Sequence, residues 1–115
     1  MIKRIEAGPR MSQAVVHGNT VYVAGQVAED TTLDVSGQTR QILHRIDALL
    51  AAAGTDKSRL LACTIYLADI GTFGAMNDVW DSWVLAGSTP ARATVEAALA
   101  APEYTVEIVA IAALP

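Results

Sequence analysis

Two segments near the C-terminal end carry polar side chains where apolar ones prevail. In Ala91–Ala98 the two-residue period of a strand puts Arg92, Thr94 and Glu96 on one face. In Glu103–Ala112 the same period groups Thr105, Glu107 and Val109, and Glu107 interrupts an otherwise almost wholly apolar run, Tyr104 to Ile111. Read as a hairpin turning at Ala100-Ala101, with Pro102 in the loop, the two segments place Thr94 opposite Glu107 and Arg92 opposite Val109. Arg92 and Glu107 are then diagonal neighbours, close enough for long side chains to meet. A charge in such a place either faces water or is paired within a cavity. One reading is an ordinary cross-strand salt bridge. The other is a guanidinium fork for a ligand carboxylate, with a carboxylate beside it to handle protons or water.

Other chemistries lack their residues. His17, His44 and Cys63 have no zinc-like spacing, and no metal site is expected. No phosphate-cradling glycine loop and no G-x-S-x-G elbow is present. His17 beside Gly18 and His44 beside Arg45 read as surface residues.

The elements that must position Arg92 and Glu107 follow from hydrophobic period and turn chemistry. Ile2–Ala7 reads as a strand closed by Gly8-Pro9, and Gln13–His17 pairs with Thr20–Gly25 across Gly18-Asn19. Asp34 or Ser36 caps a helix over Gln38–Ala53, whose Ile42, Ile46, Leu49, Leu50 and Ala53 share a face, and Gly54 ends it. Ser58–Leu67 is a strand with Leu61, Cys63, Ile65 and Leu67 on one side; Leu60, Ala62, Thr64 and Tyr66, on the other, are also mostly apolar. A strand apolar on both faces must be covered on both. With helices for only one face, the other is expected to meet a second subunit. Thr72 caps a second helix through Ala86, with Phe73, Met76, Trp80, Trp83 and Val84 on one face, and Gly87 and Pro90 end it. The order β-β-β-α-β-α-β-β predicts an α+β sandwich: one mostly antiparallel sheet with two helices on one face and a ferredoxin-like core.

Composition narrows the partners. A chain of 115 residues is read as one domain, and 52% hydrophobic against 17% charged residues mark a folding sequence. Eight basic and twelve acidic residues give a net charge of −4, and the basic ones form no stripe, so nucleic acid is not expected as a partner. The lone Cys63 permits no intrachain disulfide, and the start has no signal-peptide pattern; a reducing cytoplasm is the expected location. The longest apolar runs fall short of the roughly 20 residues that span a bilayer, so no membrane partner is expected. A mean hydropathy of +0.33, high for so small a domain, suits burial between subunits.

The sequence resembles the Rid (YjgF-type) family. The resemblance rests on Gly8-Pro9-Arg10-Met11-Ser12-Gln13, then Gly18-Asn19 through Ala24-Gly25-Gln26, and Ala51-Ala52-Ala53-Gly54. It continues with Asn77, Pro90-Ala91-Arg92-x-Thr94-Val95 and Val106-Glu107-Ile108-x-Ala110-Ile111-Ala112. It covers almost the whole chain. It implies a chorismate-mutase-type ferredoxin-like subunit in a homotrimer, with sites in clefts between neighbouring subunits. It further implies hydrolysis of reactive enamines and imines, such as 2-aminoacrylate, to 2-keto acids and ammonia without metal or cofactor.

By motif position, the family's substrate-carboxylate arginine falls on Arg92, its water-positioning glutamate on Glu107 and its helix asparagine on Asn77. Thr94, Ala24, Gly25, Gln26 and Met11 fall on the substrate-binding positions. Three of these depart from the family pattern. Met11 stands for a tyrosine, Ala24 for a serine and Thr94 for a cysteine. Loss of a phenol and a hydroxyl makes the implied pocket more apolar and suits a bulkier substrate in a divergent subfamily. Three other functions stay open beside imine hydrolysis: hydrolysis of another carbon–nitrogen bond in a catabolic pathway, non-enzymatic binding of a small carboxylate by a trimer, and RNA cleavage.

Overall fold

The computed structural model describes residues 1–115. Six strands, β1 (Ile2–Ala7), β2 (Ser12–His17), β3 (Thr20–Gln26), β4 (Leu60–Leu67), β5 (Ala91–Glu96) and β6 (Val106–Ala113), form one sheet. Two helices, α1 (Val35–Ala53) and α2 (Phe73–Trp83), lie on one face of it. This is the α+β order anticipated from the sequence.

Local chemistry explains the boundaries. Asp34, not Ser36, is the cap of α1: its carboxylate accepts from the Gly37 N–H at 2.9 Å, so the helix starts at Val35, three residues before the expected Gln38. Gly54 ends α1 in the left-handed region, φ 91°, a conformation that suits glycine, and the Thr55 N–H closes on the Leu50 carbonyl at 3.0 Å. Helix α2 stops at Trp83 rather than Ala86 because Val84 turns extended. Lys57 Nζ donates to the freed Trp83 carbonyl at 2.6 Å.

The sheet order is β1-β2-β3-β6-β4-β5, antiparallel throughout except for the parallel pair β4–β5. The expected hairpin between the last two strands is therefore not formed. Strand β5 is an edge strand that continues along β4, with the Ala97 N–H donating to the Leu67 carbonyl at 2.9 Å. Strand β6 instead inserts between β3 and β4. The segment between β5 and β6 is held by Gln38 of α1, whose Nε2 donates to the Glu103 carbonyl and whose Oε1 accepts from the Thr105 N–H, each at 3.0 Å. This fully buried amide thus fixes where β6 begins.

Twenty-two buried residues form the core between the helices and the sheet. Strand β4 contributes Leu60, Cys63, Ile65 and Leu67, and β6 contributes Val106, Ile108, Ala110 and Ala112. A register irregularity between Leu60 and Ala62 turns Leu60 inward and leaves Leu61 half exposed, the reverse of strict alternation. The opposite face of the sheet has no helix over it. Tyr22 and Val95 are 47% and 43% exposed there, next to the half-buried Val109 and Ile111.

Candidate functional site

Arg92 sits on the helix side of the sheet. It is register partner of the core residue Cys63, so both side chains project toward the helices. Its guanidinium lies over the rings of Trp80, at 5.1 Å from the centroid, and Phe73, at 5.7 Å. These positions on α2 bracket Asn77 at helical spacing, so all three residues share the face that meets Arg92. No carboxylate pairs with Arg92; the chain's one salt bridge joins Arg45 to Glu6 at 2.6 Å. Two buried polar atoms in this region, Asn77 Oδ1 and Thr94 Oγ1, have no hydrogen-bond partner. Thr94 is register partner of Ile65 and so lies on the same side. The third residue of this face, Glu96, has a structural use: its Oε1 accepts from the Ile70 N–H at 3.0 Å. The result is a cation held by aromatic faces beside unpaired polar groups, an arrangement with the chemistry to receive an anion.

Cys63 lies beneath this arginine, and burial pushes its thiol up to about 11 although the nearby Arg92 charge acts the other way. The thiol is therefore protonated at neutral pH. It is expected to resist iodoacetamide at pH 8 in the folded protein and to react only on denaturation. Because the unfolded thiol ionises first, near 9, stability falls as pH rises from about 9 to about 11. Rapid alkylation of the native chain would contradict this.

Glu107 belongs to the other face of the sheet. It is register partner of Tyr66, while its neighbours Val106 and Ile108 are buried under the helices. The ladder between β3 and β6 is irregular from Val23 to Gln26, which takes Ala24 and Gly25 out of register. Gly25 lies directly against the Glu107 side chain: a Cβ there would be 2.9 Å from Cδ and closer still to Oε2. The next residue, Gln26, is buried, and its Nε2 donates to Gln13 Oε1 and to the Ala24 carbonyl, each at 3.0 Å. Met11, 48% exposed, leads into β2 at the same end of the sheet, since Ala14 pairs with Val23. Thr105 precedes Glu107 by two residues, and its buried hydroxyl also lacks a partner.

The residues singled out from the sequence thus fall into two groups. Arg92, Thr94 and Asn77 form one; in the other Gly25 lies against Glu107, with Ala24 next to it in the chain and Met11 at the same end of the sheet, whereas Gln26, register partner of the buried Ile108, turns toward the helices. The expected diagonal contact of Arg92 with Glu107, whether salt bridge or site, is absent, because β4 stands between their strands and they project from opposite faces. Neither cavity of the chain, about 400 and 200 Å³, is lined by Arg92 or Glu107. No group of three or more His, Cys, Asp or Glu side chains is placed to hold a metal ion, and no helix is long and apolar enough to cross a membrane. The sequence pattern groups Phe73 and Trp80 on the apolar face of α2; their spacing about Asn77 is the available signal for a second use.

The chain matches known proteins from end to end. A family model described as Endoribonuclease L-PSP matches residues 1–114. The RutC family protein YoaB of Escherichia coli (strain K12) is 48% identical over 113 residues, 98% of this chain and 98% of that protein. A RutC family protein of Haemophilus ducreyi is 45% identical over 114 residues, 99% of this chain and 97% of that protein. Among solved structures, NMB1025 of Neisseria meningitidis, a member of the YjgF protein family, is similar with a TM-score of 0.98. Its identity is 43%, over 100% of this chain and 96% of that one. Sequence and fold agree over the full length, and the chain belongs to the YjgF/RutC/Rid family.

Proposed function

We propose that this protein hydrolyses the imine and enamine forms of small 2-amino acids to 2-keto acids and ammonia. The observation that carries the reading is the unpaired Arg92 guanidinium, held over Trp80 and Phe73 beside the unpartnered Asn77 and Thr94. Arg92 holds the substrate carboxylate through paired N–H donors, which fixes the C=N carbon in space. Glu107 orients a water on that carbon. Water adds its oxygen to carbon and its proton passes to nitrogen. In the resulting carbinolamine the remaining hydroxyl proton also passes to nitrogen; the C–N bond breaks with its electron pair on nitrogen as the oxygen closes to C=O, and ammonia leaves. Hydrolysis of this kind needs only water and proton transfers.

The two groups project from opposite faces of one sheet, so a complete site takes Arg92 from one subunit and Glu107 from the next. A homotrimer with clefts between subunits supplies that arrangement. It also covers the exposed apolar face around Tyr22 and Val95. RNA cleavage, which the family model's description names, is opposed by the net charge of −4 and by the scattered basic residues.

The test generates imines with an amino-acid oxidase and follows keto-acid release. The wild type is expected to accelerate release from several amino acids, and Arg92→Ala to lose about 100-fold. Acceleration equal in Arg92→Ala would sink the assignment of Arg92. No acceleration with any imine would favour a carboxylate-binding trimer. In that case calorimetry would detect 2-keto acids bound to the wild type and, unchanged, to Glu107→Gln.

A further inference from the structure

The larger cavity of the chain, about 400 Å³, lies away from Arg92 and Glu107, between the flank of α1 and the segment that leaves β3. Two carboxamides line it, and each is locked by a backbone group that fixes which end is which. Gln26, 5% exposed, spends both amide hydrogens, one on Gln13 Oε1 and one on the Ala24 carbonyl. A carbonyl can only accept, so Nε2 is the end that faces Ala24, and Oε1 is left as a free acceptor. Gln41 is locked the opposite way. Its Oε1 accepts from the Asp30 N–H at 2.9 Å, so its Nε2 is left as a free donor. The cavity therefore offers one acceptor and one donor from two side chains that cannot exchange roles.

The charges around it select further. Arg45 on the cavity wall is already paired with Glu6, at 2.6 Å, and Glu29 adds a carboxylate with no such partner. A free anion therefore meets the Glu29 carboxylate as well as a guanidinium that already faces Glu6. Val27 and Ala48 supply apolar surface, and His44 completes the lining. The volume falls in the range of small-molecule sites.

We infer that this cavity binds a small neutral compound carrying both an N–H and a C=O group, an amide such as a lactam. Its N–H donates to Gln26 Oε1 and its C=O accepts from Gln41 Nε2. The site is independent of imine hydrolysis. It adjoins it through the chain, because Gln26 follows the glycine against which Glu107 lies.

The experiment is a titration of the ¹⁵N-labelled protein with 2-piperidone, read by amide chemical shifts. Saturable shifts are expected at the Gln26 and Gln41 side-chain amides and around Asp30. N-methyl-2-piperidone, which lacks the N–H, and acetate, which is charged, are each expected to bind at least about tenfold more weakly. Gln41→Glu keeps an acceptor for the Asp30 N–H but removes the donor, and should lose binding by a similar factor. The absence of saturable shifts with 2-piperidone would overturn the inference. So would equal binding of the N-methyl compound or of acetate, a comparison that needs no variant.

Discussion

Subunits carrying Arg92→Ala and subunits carrying Glu107→Gln, each inactive alone, are expected to recover imine hydrolysis when mixed and reassembled. The prediction follows from which way the two side chains project. Arg92 shares its face with Cys63 under α2, whereas Glu107 shares the uncovered face with Tyr66 and Gly25. No rotamer carries a side chain through β4, so a site that uses both must draw them from different copies. In an equal mixture, a given cleft is intact when one neighbour supplies a native arginine and the other a native glutamate. With random assembly in a closed ring this leaves about a quarter of wild-type activity. If one chain supplied both groups, every cleft would contain a defect and the mixture would stay inactive. Co-expression of two differently tagged variants, purification of the mixed species and the oxidase-coupled assay distinguish the outcomes. Light scattering on the same sample reads the oligomeric state directly.

The contrast between what was legible and what was not is clear at these same residues. The two-residue period groups Arg92 with Thr94 and Glu107 with Val109, as the ladders have them, because alternation along a strand is a local property. Which face of the sheet each group occupies depends on which strands pair, and that is decided by the whole fold. The chain between Glu96 and Val106 looked like a hairpin loop, yet Gln38, more than sixty residues away in sequence, holds its end and delivers β6 between β3 and β4. The helices were legible for the opposite reason. The stripe Ile42, Ile46, Leu49, Leu50 and Ala53 and the Gly54 terminus are encoded within a few turns, and all five of those side chains are buried. The aromatic seat of Arg92 fell between these cases. Phe73 and Trp80 carry the helical spacing of a core face, but Phe73 is 38% exposed and serves the edge strand instead.

Gly25→Ala is expected to slow catalysis about 100-fold at almost no cost in stability, and the reason lies in what the added methyl would meet. The glycine is not in the left-handed region, so alanine strains no backbone angle there. The new Cβ would instead lie 3.3 Å from Cγ and 2.9 Å from Cδ of Glu107, and closer still to Oε2. The obstructed group is the far end of a flexible side chain, which can swing away. Loss of backbone freedom in the unfolded chain offsets part of the cost, about 0.4–1 kcal/mol. The melting temperature should therefore move by only a few degrees. The carboxylate, however, would no longer lie over residue 25, and a water it holds would be displaced by about 1 Å or more. A misplacement of that size costs about 100-fold in rate. Binding of a 2-keto acid, which the proposed function assigns to Arg92 on the other face, should be unchanged. Gly25→Ala would then lower kcat with ligand affinity intact, while Arg92→Ala would lose both. Wild-type turnover in Gly25→Ala would mean that the place of Glu107 against Gly25 is not what positions the water. Loss of affinity together with turnover would mean that residue 25 also holds the substrate.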